Sequence, residues 1–284
     1  MKLGELLSRA RHALFSRLLR KRSAKVGFAI ILAFILMMII GPFFVQSPTA
    51  TSSLQHSPPS YSHPFGTDWL GHDVLSEVVW GAFPSLSVSI AAATGAVVLG
   101  LLVGVFAGYF SKLEGLLTGT ADVVLTFPAL PLLVLLGSLF PVTNVLIASI
   151  LILVLWPPVA RSIRSQVLSV KQMPYIEAAK TSGMKNRQII LRAIIPEVIP
   201  LAIAYFVLLV AAAVVLVSAL EFLGVGNPNI VSWGSMLYYA QIFAFYNGDW
   251  WWILAPGLSI TLVATGFALL GFSVEEVMNP RLRV

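Results

Sequence analysis

Six apolar runs, at about residues 26–45, 81–110, 116–140, 144–167, 196–220 and 251–273, dominate the sequence and leave little room for a water-soluble fold. A hydrocarbon core of ~30 Å is crossed by about 20 helical residues, and each run reaches that length. Only 11% of the chain is charged while 58% is hydrophobic, and the mean hydropathy is +0.90. The expected fold class is an all-α integral membrane protein with six transmembrane helices embedded in a lipid bilayer.

The net charge of +6 could suggest a nucleic-acid partner, but its distribution makes it a topology signal and no nucleic acid is expected. Lys2, Arg9, Arg11, Arg17, Arg20, Lys21, Arg22 and Lys25 lie in segment 1–25, and Lys112 in the turn near 110–115. Arg161, Arg164, Lys171, Lys180, Lys185, Arg187 and Arg192 lie in 160–195, and Arg281 and Arg283 in the tail; these complete the 18 basic residues. None falls in 46–80, near 141 or in 221–250. Lysine and arginine accumulate on the cytoplasmic side of a membrane, so both termini are expected in the cytoplasm.

The spacing of Leu6, Leu7, Ala10, Leu14, Leu18 and Leu19 is compatible with a helix lying on the membrane surface. The run at 26–45 exceeds a signal-peptide core and further spans follow, so it reads as a retained helix. The organisation is then a basic segment 1–25, a first helix 26–45, an extramembrane loop 46–80, a five-helix core 81–273 and a tail 274–284.

Within the core, residues 171–195 are polar and basic between two spans. Pro174 suits a first helical turn, where its missing N–H is no loss. Tyr175, Ala178, Ala179 and Ser182 recur on one helical face, Gly183 suits a left-handed cap, and Asn186 can cap a second helix. Ile189, Ile190, Ala193 and Ile194 would form the apolar stripe of that second helix. A short helix with a small-residue face suits docking into a groove of another protein; an ordinary loop between two spans is the alternative. Glu177-Ala178-Ala179, Gly183 and Ile194-Ile195-Pro196 together resemble the EAA loop of binding-protein-dependent ABC importer permeases.

Further motifs follow in order. His63-Pro64-Phe65-Gly66-Thr67-Asp68, then Gly71-His72-Asp73, resembles the HPFGTD-x-x-G-R-D sequence of the C-type permeases of dipeptide, oligopeptide and nickel importers, with His72 in place of Arg. Thr67 or Asp68 could cap a following helix through Leu75 and Val79. His63, Asp68, His72 and Asp73 also invite a metal reading, but their spacing matches no recurring site, and no metal ligand is assigned. Glu221-Phe222-Leu223-Gly224 and Ser232-Trp233-Gly234 resemble the family's LSFLGLG and SWG-x-M-L signatures, with Glu221 in place of Ser near the outer mouth. Asp122, Phe127 and Pro128, then Ala160, Arg161 and Arg164, match its D-x-L-x-x-F-P and A-R-x-x-R patterns, and Asn279-Pro280-Arg281 its terminal D-P-R. Leu270-Gly271-Phe272 departs from the usual N-L-L-G-D.

The resemblance implies a type I ABC importer transmembrane domain with an extra N-terminal helix, in a bacterial or archaeal plasma membrane. It implies a heterodimer with a second permease, two ABC ATPase subunits that bind the ATP and Mg, and an extracytoplasmic substrate-binding protein. It places Tyr175, Glu177, Ala178, Ala179, Ser182 and Gly183 on a coupling helix at the ATPase. It also places His63, Phe65, Gly66, Asp68, Asp73, Glu221, Phe222 and Trp233 at the binding-protein side or outer gate. Peptides are the cargo the resemblance favours, with nickel or oligosaccharides as alternatives.

The chain has no Walker-type phosphate loop, no H-E-x-x-H, no nucleophile elbow and no cysteine, so it is expected to be non-catalytic with no cofactor of its own. An ATP-independent channel or secondary carrier is the rival reading; its ionisable candidates in the spans would be Asp122 and Glu197, for which structural capping is an equal explanation. Gly100, Gly104 and Gly108, following Ala92 and Ala96 at four-residue intervals, mark a face for close helix packing.

Overall fold

The structure, a computed structural model, describes residues 21–278. Most of the amphipathic segment 1–25 and the closing Asn279-Pro280-Arg281 lie outside the described residues. The helices are α1 (Arg22–Ile40), α2 (Val74–Tyr109), α3 (Ser111–Thr126), α4 (Ala129–Leu139), α5 (Asn144–Lys171), α6 (Pro174–Thr181), α7 (Asn186–Ile189), α8 (Ile195–Phe222), α9 (Trp233–Asn247) and α10 (Trp250–Met278). Isolated bridges such as Thr51 with His72 are the only β pairing among the described residues.

Five helical stretches are long and apolar enough to cross a membrane, and a sixth crossing comes from α3 and α4 if that bent pair is one span. The expected span at 116–140 is therefore not one straight helix: it bends by 88° where Phe127 and Pro128 take extended backbone. Proline has no N–H and restricts its predecessor, so the helix stops there and restarts. The pair nonetheless runs from one end of the bundle to the other. Glu114 in α3 pairs with Arg164 at the basic end, Ala121 packs at mid-depth with Ala96, Trp156 and Ala160, and Leu133 in α4 joins Val88, Ile147 and Leu220 near the opposite end.

The basic residues among those described collect at one end, together with the start of α1 and the end of α10. Lys21 pairs with Glu276, and the Ser23 and Ser273 hydroxyls lie 2.9 Å apart. Outward-facing Val26, Phe28, Leu32, Leu36 and Ile39 stay exposed along α1, the pattern of a helix with one packed face and one lipid face.

Two local starts differ from the sequence expectation. The second span begins at Val74, not 81, because Asp73 caps α2: its Oδ2 accepts from the Ser76 N–H at 2.9 Å and from the Ser76 hydroxyl at 2.6 Å. Thr67 and Asp68 are held in the preceding loop. Lys185, not Asn186, takes the cap position of α7, its N–H donating to Gln188 Oε1 at 3.0 Å. Between α7 and α8 the backbone widens into a π turn at Ile190–Ile194. Pro196 lies just downstream; its ring would press on the carbonyl four residues back, and a wider turn relieves that contact.

The tightest seam joins α2 and α5, which run parallel. A Cβ on Gly100 would lie 2.6 Å from Val159 Cβ, one on Gly104 2.7 Å from the Ala160 carbonyl oxygen, and one on Gly108 2.7 Å from Val167 Cβ. The small-residue stripe is thus used inside the chain, where missing side chains let two backbones approach. Gly104→Ala should force this seam apart and cost about 1–3 kcal/mol, as overpacking does, lowering the thermal midpoint in detergent. Gly115→Ala in α3 meets nothing within 4 Å and should not lower it. Equal midpoints for the Gly104 variant and the parent would contradict the close approach.

Candidate functional site: a docking helix and the opposite cap

α6 begins at Pro174 and ends in a left-handed turn at Gly183, φ 78°. The Gly183 N–H donates to the Lys180 carbonyl at 3.0 Å and the Met184 N–H to the Ala179 carbonyl at 3.1 Å. These two bonds form a Schellman closure, with Met184 and Ala179 in apolar company. Ile176 is fully buried, while Tyr175, Glu177, Ala178, Ser182 and Gly183 are exposed and Ala179 is partly covered. The free face is therefore Tyr175, Glu177, Ala178 and Ser182, and Ala179 turns toward the body. Desolvation by its surroundings, then the Glu197 carboxylate, push the Tyr175 phenol above its usual pKa.

Ile176 keys this helix into the bundle. It shares one apolar cluster with Val105 and Tyr109 of α2, Val167 and Val170 of α5, and Ile189, Ile194 and Val198 of the α7–α8 stretch. Polar ties reinforce it: the Tyr109 hydroxyl donates to Asn186 Oδ1 at 2.9 Å, and Lys171 Nζ donates to the Tyr109 carbonyl at 2.8 Å. Arg161 pairs with Asp122, so that carboxylate joins α5 to α3 and is not a capping group. Glu197 sits exposed in the first turn of α8.

At the other end, residues 46–73 fold into a cap. The Ser52 N–H donates to the Gly71 carbonyl at 2.9 Å and the His56 N–H to the Asp68 carbonyl at 3.0 Å. The Thr67 hydroxyl donates to the Leu54 carbonyl at 2.6 Å. Gly66, φ 72°, passes so close to the Trp251 ring and the Ser57 carbonyl that a Cβ would lie 2.6 Å from each. His63 Nδ1 lies 3.1 Å from Asp73 Oδ1, and His56 Nδ1 lies 2.5 Å from Asp249 Oδ2 at the start of α10.

Glu221 is buried and is not an open-mouth carboxylate. Its Oε2 accepts from the Ser232 hydroxyl at 2.7 Å, and Gly234 has no side chain because one would lie 2.5 Å from that oxygen. Trp233 is fully buried, its indole N–H donating to the Val78 carbonyl at 2.9 Å and its backbone N–H to Ser85 Oγ at 3.0 Å. Of the eight residues expected at this end, Phe65 and Phe222 are exposed; His63, Gly66, Asp68, Asp73, Glu221 and Trp233 are internal.

Sequence reasoning missed Ile176, the one large aliphatic side chain in 174–183, and this was its available signal. It also missed α9, whose start Ser232 and Ser235 cap reciprocally, and the grouping of Glu77 with Asp68 and His72.

A multi-span helical bundle with a keyed, outward-facing helix at its basic end and a folded cap at the other has the architecture of a membrane permease. Comparison with known proteins makes this specific. The profile of the binding-protein-dependent transport system inner membrane component matches residues 96–284, and that of the N-terminal transmembrane domain of oligopeptide transport permease C matches residues 8–62. The chain belongs to the binding-protein-dependent transport system inner membrane component family. It is 34% identical over 275 residues to a dipeptide transport system permease protein of Alkalihalophilus pseudofirmus, covering 95% of this chain and 89% of that one. It is 33% identical to a dipeptide transport system permease protein of Bacillus subtilis (94% and 84% covered). It is 32% identical to an oligopeptide transport system permease protein of the same organism (94% and 89% covered).

Removing the key should free the helix. Ile176→Ala opens a cavity of a kind that costs about 2–5 kcal/mol. Hydrogen exchange is expected to quicken at least ~10-fold across 174–184 and stay unchanged in α10, which lies outside this cluster. Unaltered exchange in 174–184 would show that Ile176 does not hold the helix.

Proposed function

We propose that this chain forms half of the translocation pathway of an ATP-driven importer for peptides, paired with a second permease subunit. The observation that carries the reading is α6: a helix with an exposed Tyr175, Glu177, Ala178 and Ser182 face, locked through Ile176 to α2, α5 and α8. A force on that face is transmitted to three long helices at once, because packed side chains move as a body.

Two ABC ATPase subunits would receive this face and hold the ATP and Mg; the chain itself would carry no cofactor and no catalytic residue. Closure of the ATPase pair would pull α6 and tilt the helices keyed to it, alternately opening the pathway to each side. The basic end, with both termini, faces the cytoplasm of a bacterial or archaeal cell on this reading, as the one-sided lysines and arginines support. The 46–73 cap then faces outward, where a substrate-binding protein delivers its load and Phe65 and Phe222 offer apolar contact. Peptide cargo is supported by the names of the relatives, which transport dipeptides and oligopeptides.

Gentle purification from native membranes should bring along a second permease and the ATPases. In proteoliposomes this complex should take up peptide only with its binding protein and ATP; uptake without ATP would overturn the reading. Ala178→Asp would bury an unpaired carboxylate in the contact. It should weaken ATPase capture at least ~10-fold, about 1.4 kcal/mol, with the bundle still folded. Undiminished capture would remove Ala178 from the docking face.

A further inference from the structure

The cap end buries acids where the sequence offers no lysine or arginine. None occurs between Lys25 and Lys112, nor between Arg192 and Arg281. Yet Asp68, Asp73, Glu77, Glu221 and Asp249 are exposed by only 2%, 6%, 7%, 5% and 2%. A buried carboxylate requires a countercharge or a full set of donors. Four of the five have partners. Asp73 takes His63 and Ser76, Asp249 takes His56, and Glu221 takes Ser232. Asp68 accepts at Oδ1 from the N–H groups of Leu70 and His72, at 2.9 and 2.6 Å, and meets His72 Nδ1 at Oδ2.

Glu77 is the exception. Its Oε2 is buried and meets no hydrogen-bond partner among the described residues. Its Oε1 lies 3.9 Å from His72 Nδ1, beyond hydrogen-bond reach. Asp68, His72 and Glu77 each present one ligand-type atom, all within 4.8 Å of one another. Metal bonds of 2.0–2.2 Å in a tetrahedron set ligand atoms about 3.3 Å apart. The 2.9 Å from His72 Nδ1 to Asp68 Oδ2 and the 3.9 Å to Glu77 Oε1 straddle that figure. The three residues line one cavity of about 410 Å³. Trp252, whose buried indole N–H also has no partner among the described residues, lines it too.

We propose that Asp68, His72 and Glu77 form a binding site for one first-row divalent metal ion of the Zn²⁺ type, with the cavity supplying its open coordination position. One imidazole nitrogen and two carboxylate oxygens suit such an ion better than Mg²⁺ or Ca²⁺, which favour all-oxygen shells of six or more. The ion is the countercharge that the cap lacks. His63 and Asp73, which the sequence spacing also brings forward, stay outside the site because they pair with each other. Asp68 and His72 belong to the cap and Glu77 to the first turn of α2, so the ion clamps the cap onto the helix that carries the glycine seam. This assignment concerns the cap alone and stands whatever the transported cargo is.

The test uses the full chain, purified in detergent without a polyhistidine tag, stripped with chelator and titrated with Zn²⁺. Metal analysis should give one ion per chain, and Co²⁺ in its place should produce visible absorption bands of a low-coordinate site. Loss of even a second-shell partner costs about 10–100-fold in metal affinity, so Glu77→Gln, which keeps the side-chain volume, should weaken binding by at least ~100-fold. His72→Arg places a guanidinium against the same carboxylates and should abolish binding while the thermal midpoint is retained. A parent chain that binds less than stoichiometric Zn²⁺, or variants that bind it as tightly as the parent, would overturn the site. If neither variant folds, the parent's Co²⁺ spectrum decides: absence of the bands at one equivalent of Co²⁺ overturns it equally.

Discussion

The parallel contact of α2 and α5 is the constraint on which both working ends depend. Gly100, Gly104 and Gly108 bring α2 against Val159, Ala160, Ile163 and Val167, and lipid supplies no hydrophobic drive to hold helices together without such close packing. Downstream of the seam, Tyr109, Val167 and Val170 form the floor on which Ile176 seats α6. Upstream, the same α2 is capped by Asp73, carries Glu77 in its first turn and accepts Trp233 at Val78 and Ser85. One close-packed pair of helices thus joins α6 to the cap on the far side of the bundle.

The two ends solve their electrostatics in different ways. At the basic end Arg161 and Arg164 reach from α5 to Asp122 and Glu114 of α3, so the broken α3–α4 span is tied to the seam by ion pairs. At the cap no lysine or arginine is available. Carboxylates there are held by imidazoles, hydroxyls and backbone N–H groups, as in Asp249 with His56 and Glu221 with Ser232. Such donors can satisfy a buried carboxylate only when every one of its oxygens is met, so the Glu77 oxygen with no partner among the described residues stands out.

Much of the fold was legible because lipid enforces simple rules. The apolar runs marked the spans, the basic residues marked one end, and Pro174 with Gly183 bounded α6. Local rules failed where tertiary partners competed. Thr67 was a plausible cap by residue type, but its hydroxyl is bound to Leu54 across the loop, and Asp73 caps α2. Asn186 could have capped α7, but its amide oxygen accepts from Tyr109. Helix α9 escaped notice because its 15 residues are too short for a span. The run at 116–140 read as one span, while the structure bends it by 88° at Phe127 and Pro128.

By itself the sequence determined the membrane class, the spans to within several residues, the segregation of charge and the presence of a short polar helix between two spans. These follow from hydropathy, charge and local helix chemistry, which act along the chain and need no partner. Tertiary structure alone decided which face of α6 is free, through Ile176, and that Glu221 and Trp233 are internal struts. It alone joined Glu77 to Asp68 and His72, because the loop had to fold onto the first turn of α2 before those side chains could meet. Burial and long-range pairing belong to the packed bundle, and no local pattern encodes them.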